Sequence, residues 1–408
     1  MKTKLTILLA AILTATSLSA QKLTKVDDTY IESDVIPLAG KKGFSFETKA
    51  GDFVFKPFVL VQSSVKFNYY DDEGLELSDQ DNVANSGFEV GNALIGFSGK
   101  AFNRVTFNLT LNAAQTGAAL LQQAWFDIIL KDEIRFRVGK FKTPFNQAYL
   151  VTLGETLFPT LPISLTAPVN IPYSLNSVNP SMATGFDLGV EMHGLIKNKW
   201  EYHVGIFNGT GIDVNGAKKT LSDDMGIPSL LYAGRIAYMP KGVMPTHQGS
   251  PEDLRNNKWL IALSTSYNVE ANWQASNDFR AGVEFAYLYN RWYFTAEAYY
   301  LNMRFTKKQQ ISTPYNFLGG YVQGSYFITP KMQVAARYDL FKRNSFNNKG
   351  HLNLPAVAFN YYISGYNLKL QAMYQYLGKW GHATQLDRDN DDLGLAQHYA
   401  QIMLQFSF

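Results

Sequence analysis

Apolar and polar residues alternate with a period of two along most of this chain. Near the carboxyl end Ala400, Ile402, Leu404, Phe406 and Phe408 alternate with Tyr399, Gln401, Met403, Gln405 and Ser407, so one face is apolar and the other mostly polar. At 104–112, Val105, Phe107, Leu109 and Leu111 alternate with Arg104, Thr106, Asn108, Thr110 and Asn112. At 53–70, Phe53, Phe55, Val59, Val61, Val65, Phe67 and Tyr69 share a face opposite Lys56, Gln62, Ser64, Lys66 and Asn68. The pattern predicts further strands at 88–99, 120–131, 134–141, 183–195, 200–208, 230–239, 258–268, 279–289, 291–304, 316–328, 332–341, 354–363, 366–379 and 393–408, sixteen in all. Strands with one apolar and one wet face, closing on a terminal Phe408, predict an all-β fold, a transmembrane antiparallel β-barrel of about 16 strands.

The lengths of the links support that architecture. Short links at 102–103, 131–133, 197–199, 290–291 and 329–331 alternate with longer polar ones at 71–87, 142–182, 209–229, 269–278, 305–315, 342–353 and 380–392. Short periplasmic turns and long extracellular loops give this asymmetry when both termini are periplasmic. The link at 240–257 departs from it, being long and rich in Pro, Gly and charge where a short turn is expected, and it reads either as a periplasmic excursion or as a place where the strand count is off. The longest link, 142–182, carries Pro144, Pro159, Pro162, Pro168, Pro172 and Pro180 among Leu150, Val151, Leu153, Leu157, Phe158 and Ile163. A proline-stiffened apolar segment in the third extracellular position predicts an inward-folded third extracellular loop that narrows the lumen. An external cap or a subunit contact is the other reading.

The amino-terminal 20 residues change the picture by adding export. Lys2 and Lys4 precede an apolar run from Leu5 to Leu13 and a small-residue segment, the form of a signal peptide with cleavage before Gln21. Residues 21–50 then form a periplasmic leader or cap, with a hint of a short strand at 44–48, and 51–408 the barrel. With no Cys there is no lipobox, disulfide or thiolate metal site. No later apolar run reaches the length a spanning helix needs. Aromatics at 14% and charged residues at 17% suit interfacial girdles and a lipid-facing exterior. The net charge of +3 falls by two when Lys2 and Lys4 leave, which argues neither for an ion preference nor for nucleic-acid binding. The expected location is the bacterial outer membrane, among its lipids and lipopolysaccharide.

Arg135, Arg137, Gly139, Lys140, Phe141, Lys142, Pro144 and Phe145 lie at spacings that resemble a signature of the phosphate-selective porin O and P family. Gly51 to Phe55, leading through Lys56 to Gln62, looks like that family's first-strand entry, and Gly185 to Glu191 resembles the strand after its third loop. The similarity covers roughly residues 43–408. The resemblance implies a sixteen-stranded homotrimeric diffusion channel, a porin for small hydrophilic or anionic solutes, with cations lining its narrow part and a preference for anions such as phosphate.

Arg135, Arg137, Lys140 and Lys142 are the candidates for the narrow zone, and Arg104, Arg235 and Arg337 for wall cations that attract anions. Strict alternation would set the two lysines on the face opposite the arginines, so all four point inward only with a bulge at Gly139. Inward faces also carry Asp127, Asp187, Glu191, Glu201, Glu284, Glu297 and Asp339, so an ion-pair lattice competes with an anion ladder. Glu191, His193, Glu201 and His203 fall on one hairpin, where pairing about Lys197 would set Glu191 against His203 and His193 against Glu201. Two imidazoles and two carboxylates could hold zinc, or could form two cross-strand pairs; no resident metal or cofactor is assigned. Asp387, Asp389 and Asp391 resemble the opening of a calcium loop, but Asp392 and His398 hold the places of its glycine and closing Glu, and a solvated acidic loop is the other reading. No nucleophile elbow, P-loop or zinc-protease motif occurs, and the chain reads as a non-enzyme. A plugged or structural barrel, acting as a docking partner or specific transporter, is the alternative to an open channel.

Overall fold

Tight turns and the period-two pattern build the fold of this computed structural model. It describes residues 35–40, 43–69, 84–166, 182–217, 228–249, 251, 254–269, 276–305, 315–342, 351–380 and 398–408. The segment 1–20 expected to be a signal peptide, residues 21–34 of the expected leader, residues 167–181 of the third loop and the acidic segment 387–392 lie outside the described residues.

The strands run in order β1 (Val35–Gly40), β2 (Gly43–Thr48), β3 (Val54–Tyr69), β4 (Ala84–Ala101), β5 (Val105–Asn112) and β6 (Leu121–Lys131). Next come β7 (Ile134–Lys142), β8 (Phe186–Ile196), β9 (Trp200–Phe207), β10 (Leu231–Tyr238), β11 (Asn257–Asn268) and β12 (Ser276–Tyr289). The last are β13 (Trp292–Phe305), β14 (Tyr315–Thr329), β15 (Met332–Lys342), β16 (His351–Ser364), β17 (Leu368–Tyr376), β18 (Gly378–Trp380) and β19 (His398–Ser407). Each long strand pairs antiparallel with its sequence neighbour, and β19 pairs with both β17 and β3, which closes a ring of sixteen. The short β2 adds two residue pairs to the start of β3, and β18 pairs with β16 beyond the end of β17.

Alternation decides which face each side chain takes. Along β15, Gln333, Ala335, Arg337, Asp339 and Phe341 are buried while Val334, Tyr338 and Leu340 are exposed. The same alternation exposes Val190, Val204, Leu263, Val322, Val357 and Leu404, an outward apolar band of the kind lipid solvates. Aromatic pairs gather at the short-turn end, with ring centroids 4.9 Å apart for Phe53 and Phe102, 4.5 Å for Trp200 and Tyr238, and 4.6 Å for Trp292 and Tyr326. Amphipathic rings at that level form an interfacial girdle. The turns themselves use left-handed residues, with φ of 55° and 57° at Phe102 and Asn103 and of 52° and 54° at Lys197 and Asn198. Paired positive φ values match the twist of the strands they join.

Candidate functional site

The link after β7 is held against inward-facing side chains of the barrel wall. A short helix, Gln147–Leu150, starts from Asn146, whose side chain accepts from the Tyr149 amide. Its first two amides donate to Glu297, from Gln147 at 3.0 Å and from Ala148 at 2.8 Å, a charge-assisted anchor at the positive end of the turn. Tyr321 donates its hydroxyl to the same carboxylate. Farther along, Arg337 donates to the Thr160 carbonyl at 2.8 Å, Lys369 to that of Thr156 at 3.1 Å, and Asn360 to that of Leu157 at 3.1 Å. Asp339 accepts from the Ser164 amide at 3.1 Å, at the second short helix, Ile163–Thr166. Between these anchors Leu157 and Phe158 are buried in a cluster with Met239, Leu260, Ala262, Leu288, Ala335 and Met373. Burial stabilises each of the two by roughly 1.5–3 kcal/mol.

The segment after β10 meets this loop from the opposite end of the lumen. The Thr246 carbonyl accepts from the Thr152 amide at 3.0 Å, and the Gln248 amide donates to the Glu155 carbonyl at 2.9 Å. Gln248 Oε1 also accepts from the Leu157 amide at 2.9 Å, and Tyr366 donates to the Gly249 carbonyl at 2.6 Å. Residues 246–249 of the long link therefore contact the third loop and Tyr366, where the sequence predicts a periplasmic excursion.

Open space remains beside the wall of β3 to β6. A cavity of about 590 Å³ is bordered by Asn92, Asn108, Thr110, Lys142, Gln405 and the loop segment 148–156. Two of its polar residues, Asn92 and Gln405, belong to a row of amides that crosses four strands. Asn112 donates to Asn92 at 3.0 Å, Asn92 to Gln62 at 2.9 Å, and Gln62 to Gln405 at 2.8 Å. The row ends where Gln405 donates to the Gly154 carbonyl of the loop at 2.9 Å. Inward polarity of these positions is visible in the alternation; their linkage is not, because the last strand must first close on β3.

The cations singled out from sequence separate into distinct environments. Arg137 lies 3.4 Å from Asp127 and 3.8 Å from Glu191, with its guanidinium 4.5 Å from the Trp125 ring centroid. Arg135 bonds Asp132 at 2.7 Å, and both arginines border a second cavity of about 360 Å³. Arg235 borders it too, bonding Glu284 at 2.9 Å, Glu201 at 3.1 Å and Gln147 of the loop at 2.8 Å. Lys142 donates to the Val151 carbonyl at 2.9 Å and borders the larger cavity. Lys140 is fully buried, donating at 2.6 Å to the Ile212 carbonyl and to Asn215, away from both cavities. Gly139 has φ 129°, yet the pairing of β7 with β6 and β8 runs through it without a register shift. Arg104 is exposed in the turn before β5, and Arg337 reaches the loop rather than a cavity.

The histidine hairpin is paired differently from the sequence expectation. Its register places His193 against His203, Leu195 against Glu201 and Glu191 against Gly205. Left-handed Lys197 and Asn198 centre the turn on Asn198 rather than Lys197, which moves every partner by two. The two imidazoles stack with centroids 5.3 Å apart and planes 3° apart. Glu191 Oε1 is 3.1 Å from His203 Nδ1, Asp127 Oδ1 is 3.0 Å from His193 Nε2, and Glu201 Oε1 is 3.5 Å from His203 Nε2.

A closed sixteen-stranded barrel with a lipid-facing exterior and a polar lumen entered by its third long loop defines a channel of the bacterial outer membrane. The model of the phosphate-selective porin O and P family matches residues 64–408, and the chain belongs to that family. Family and fold are those of a porin channel rather than of an enzyme. A relative from Aquifex aeolicus (strain VF5), named only as an uncharacterized protein, is 23% identical over 308 residues, 71% of this chain and 68% of its own length. OmpF of Salmonella typhi, solved with daunomycin, shares the fold with a TM-score of 0.57 at 12% identity, covering 88% of this chain and 98% of that one. The channel DcaP of Acinetobacter baumannii gives 0.53 at 10% identity, covering 89% and 99%. OmpT of Vibrio cholerae in its trimer form gives 0.54 at 10% identity, covering 87% and 99%.

Proposed function

We propose that this porin passes small hydrophilic solutes by passive diffusion along the wall of β3 to β6, with the third loop as its constriction and a mild preference for anions. The observation that carries this reading is the cavity of about 590 Å³ between loop and wall, bordered by amides, by apolar residues of loop and wall, and by one cation, Lys142, with Glu155 of the loop also on its border. Amide dipoles suit neutral polar solutes, while an ammonium bonded to a neutral carbonyl keeps its field and raises local anion concentration. Arg137 and Arg235 contribute less to that field, since carboxylates share them. A homotrimer is part of this reading, supported by the trimer form of the similarly folded OmpT, with outer-membrane lipids and lipopolysaccharide as the partners of the outward apolar band.

Reversal potential under a salt gradient tests the selectivity. The wild-type channel is expected to favour anions, and Lys142→Gln to move the potential towards zero. A cation-selective wild type, or a potential indifferent to Lys142, contradicts the assignment. The contacts between the third loop and 246–249 favour a second reading, a lumen held shut in isolation as part of a docking or gated transport system.

A further inference from the structure

The wall patch where β8 and β9 pair does not contribute to the proposed solute path, yet it gathers metal-ligating atoms. One ligand atom each from Glu191, His193 and His203 lies within 4.8 Å of the others. Two imidazoles and a carboxylate are a donor set of open zinc sites, where the remaining position goes to water. We propose that Glu191, His193 and His203 bind one divalent transition-metal ion, zinc foremost, with Asp127 and Glu201 orienting the two imidazoles.

Geometry carries the proposal. Glu191 is 1% exposed, and its Oε1 makes no hydrogen bond although His203 Nδ1 lies 3.1 Å away, itself without one. Two buried donor atoms that close, neither aimed well at the other, suit a cation lying between them. Behind the rings, Asp127 takes His193 Nε2 at 3.0 Å and Glu201 faces His203 Nε2 at 3.5 Å. Carboxylates in those positions hold the Nε2 proton and leave Nδ1 free as a ligand, the outer shell that histidine–metal sites use. Charge agrees as well. Asp127, Glu191, Glu201 and Glu284 form their ion pairs with Arg137 and Arg235, while Arg135, opposite His193 and on the same cavity, pairs with Asp132, so carboxylates outnumber guanidinium groups around the two imidazoles. Arg137, 3.8 Å from Glu191, opposes a cation, but it is also drawn towards Asp127 and the Trp125 ring. The adjoining cavity of about 360 Å³, bordered by His193 and His203, supplies an entry path and room for a water ligand. Imidazole ligands favour zinc, copper or nickel over magnesium or calcium.

The test uses the full barrel in detergent, stripped with a chelator and titrated with zinc chloride by calorimetry. One zinc per barrel is expected, unaffected by excess magnesium, and cobalt in its place should show the visible absorption of a low-coordinate site. His193→Gln and His203→Gln should each remove binding, and Asp127→Asn should weaken it by about 10–100-fold. Heat-modifiable gel migration establishes that each variant is folded, and Glu191→Gln serves where a histidine variant is not. No zinc binding to the folded wild type, or binding that survives either ligand substitution, overturns the site. The readout does not depend on conductance, so it stands or falls apart from the channel reading.

Discussion

Arg235 illustrates what a single charge does inside this lumen. It is 5% exposed and joins Glu284 and Glu201 to Gln147 of the third loop. Arg235→Met should leave Glu284 buried without its cation, costing about 3–5 kcal/mol in urea unfolding monitored in micelles. Arg104→Met, exposed in a turn, should stay within about 0.5 kcal/mol of wild type. Sequence separates these two arginines poorly, since both fall on polar positions of an alternating run. The face of Arg235 was legible from its neighbours in β10. Its partners were not, because Gln147 lies 88 positions away and comes near only once the loop has turned inward. Arg337 is the same case, with Thr160 177 positions away.

At the scale of elements, strands are legible and the contents of the barrel are not. Each strand is encoded locally by its alternation of lipid-facing and lumen-facing residues, and the sixteen expected ranges coincide with the observed ones to within a few residues at most ends. Register depends on turn conformation, which is why the hairpin through Lys197 and Asn198 is centred one residue later than its sequence suggests. Proline, apolar content and position marked the third loop as unusual, but its anchors come from Glu297, Arg337, Asp339, Asn360 and Lys369, on strands far along the chain. The link 240–257 stood out only by its length and its Pro, Gly and charge content, which do not tell where residues 246–249 go. Its grip on the loop is testable through Gln248→Ala, which strands the buried Leu157 amide. A loss of about 1–3 kcal/mol is expected there, visible as noisier open-channel current with excursions to higher conductance. Val243→Ala, at a 41% exposed position of the same link, should leave the current unchanged. Equal behaviour of the two variants would show that the contact does not restrain the loop.

For the whole molecule, ring closure converts local alternation into two solvents on one sheet. Outside, exposed Val, Leu and Phe meet lipid; inside, amides and charges are divided between holding the loop and lining what space remains. The loop packs against β10 to β17 with Leu157 and Phe158, and the cavity proposed as the solute passage lies on the other side, beside the wall of β3 to β6. Whether that passage conducts is the central claim. Single-channel recording of the full, folded protein in planar bilayers tests it most directly. Discrete, long-lived current steps are the predicted result, their sign preference weakly anionic. Silence from protein whose barrel is folded and inserted would contradict it, leaving the third loop and residues 246–249 as a closed plug.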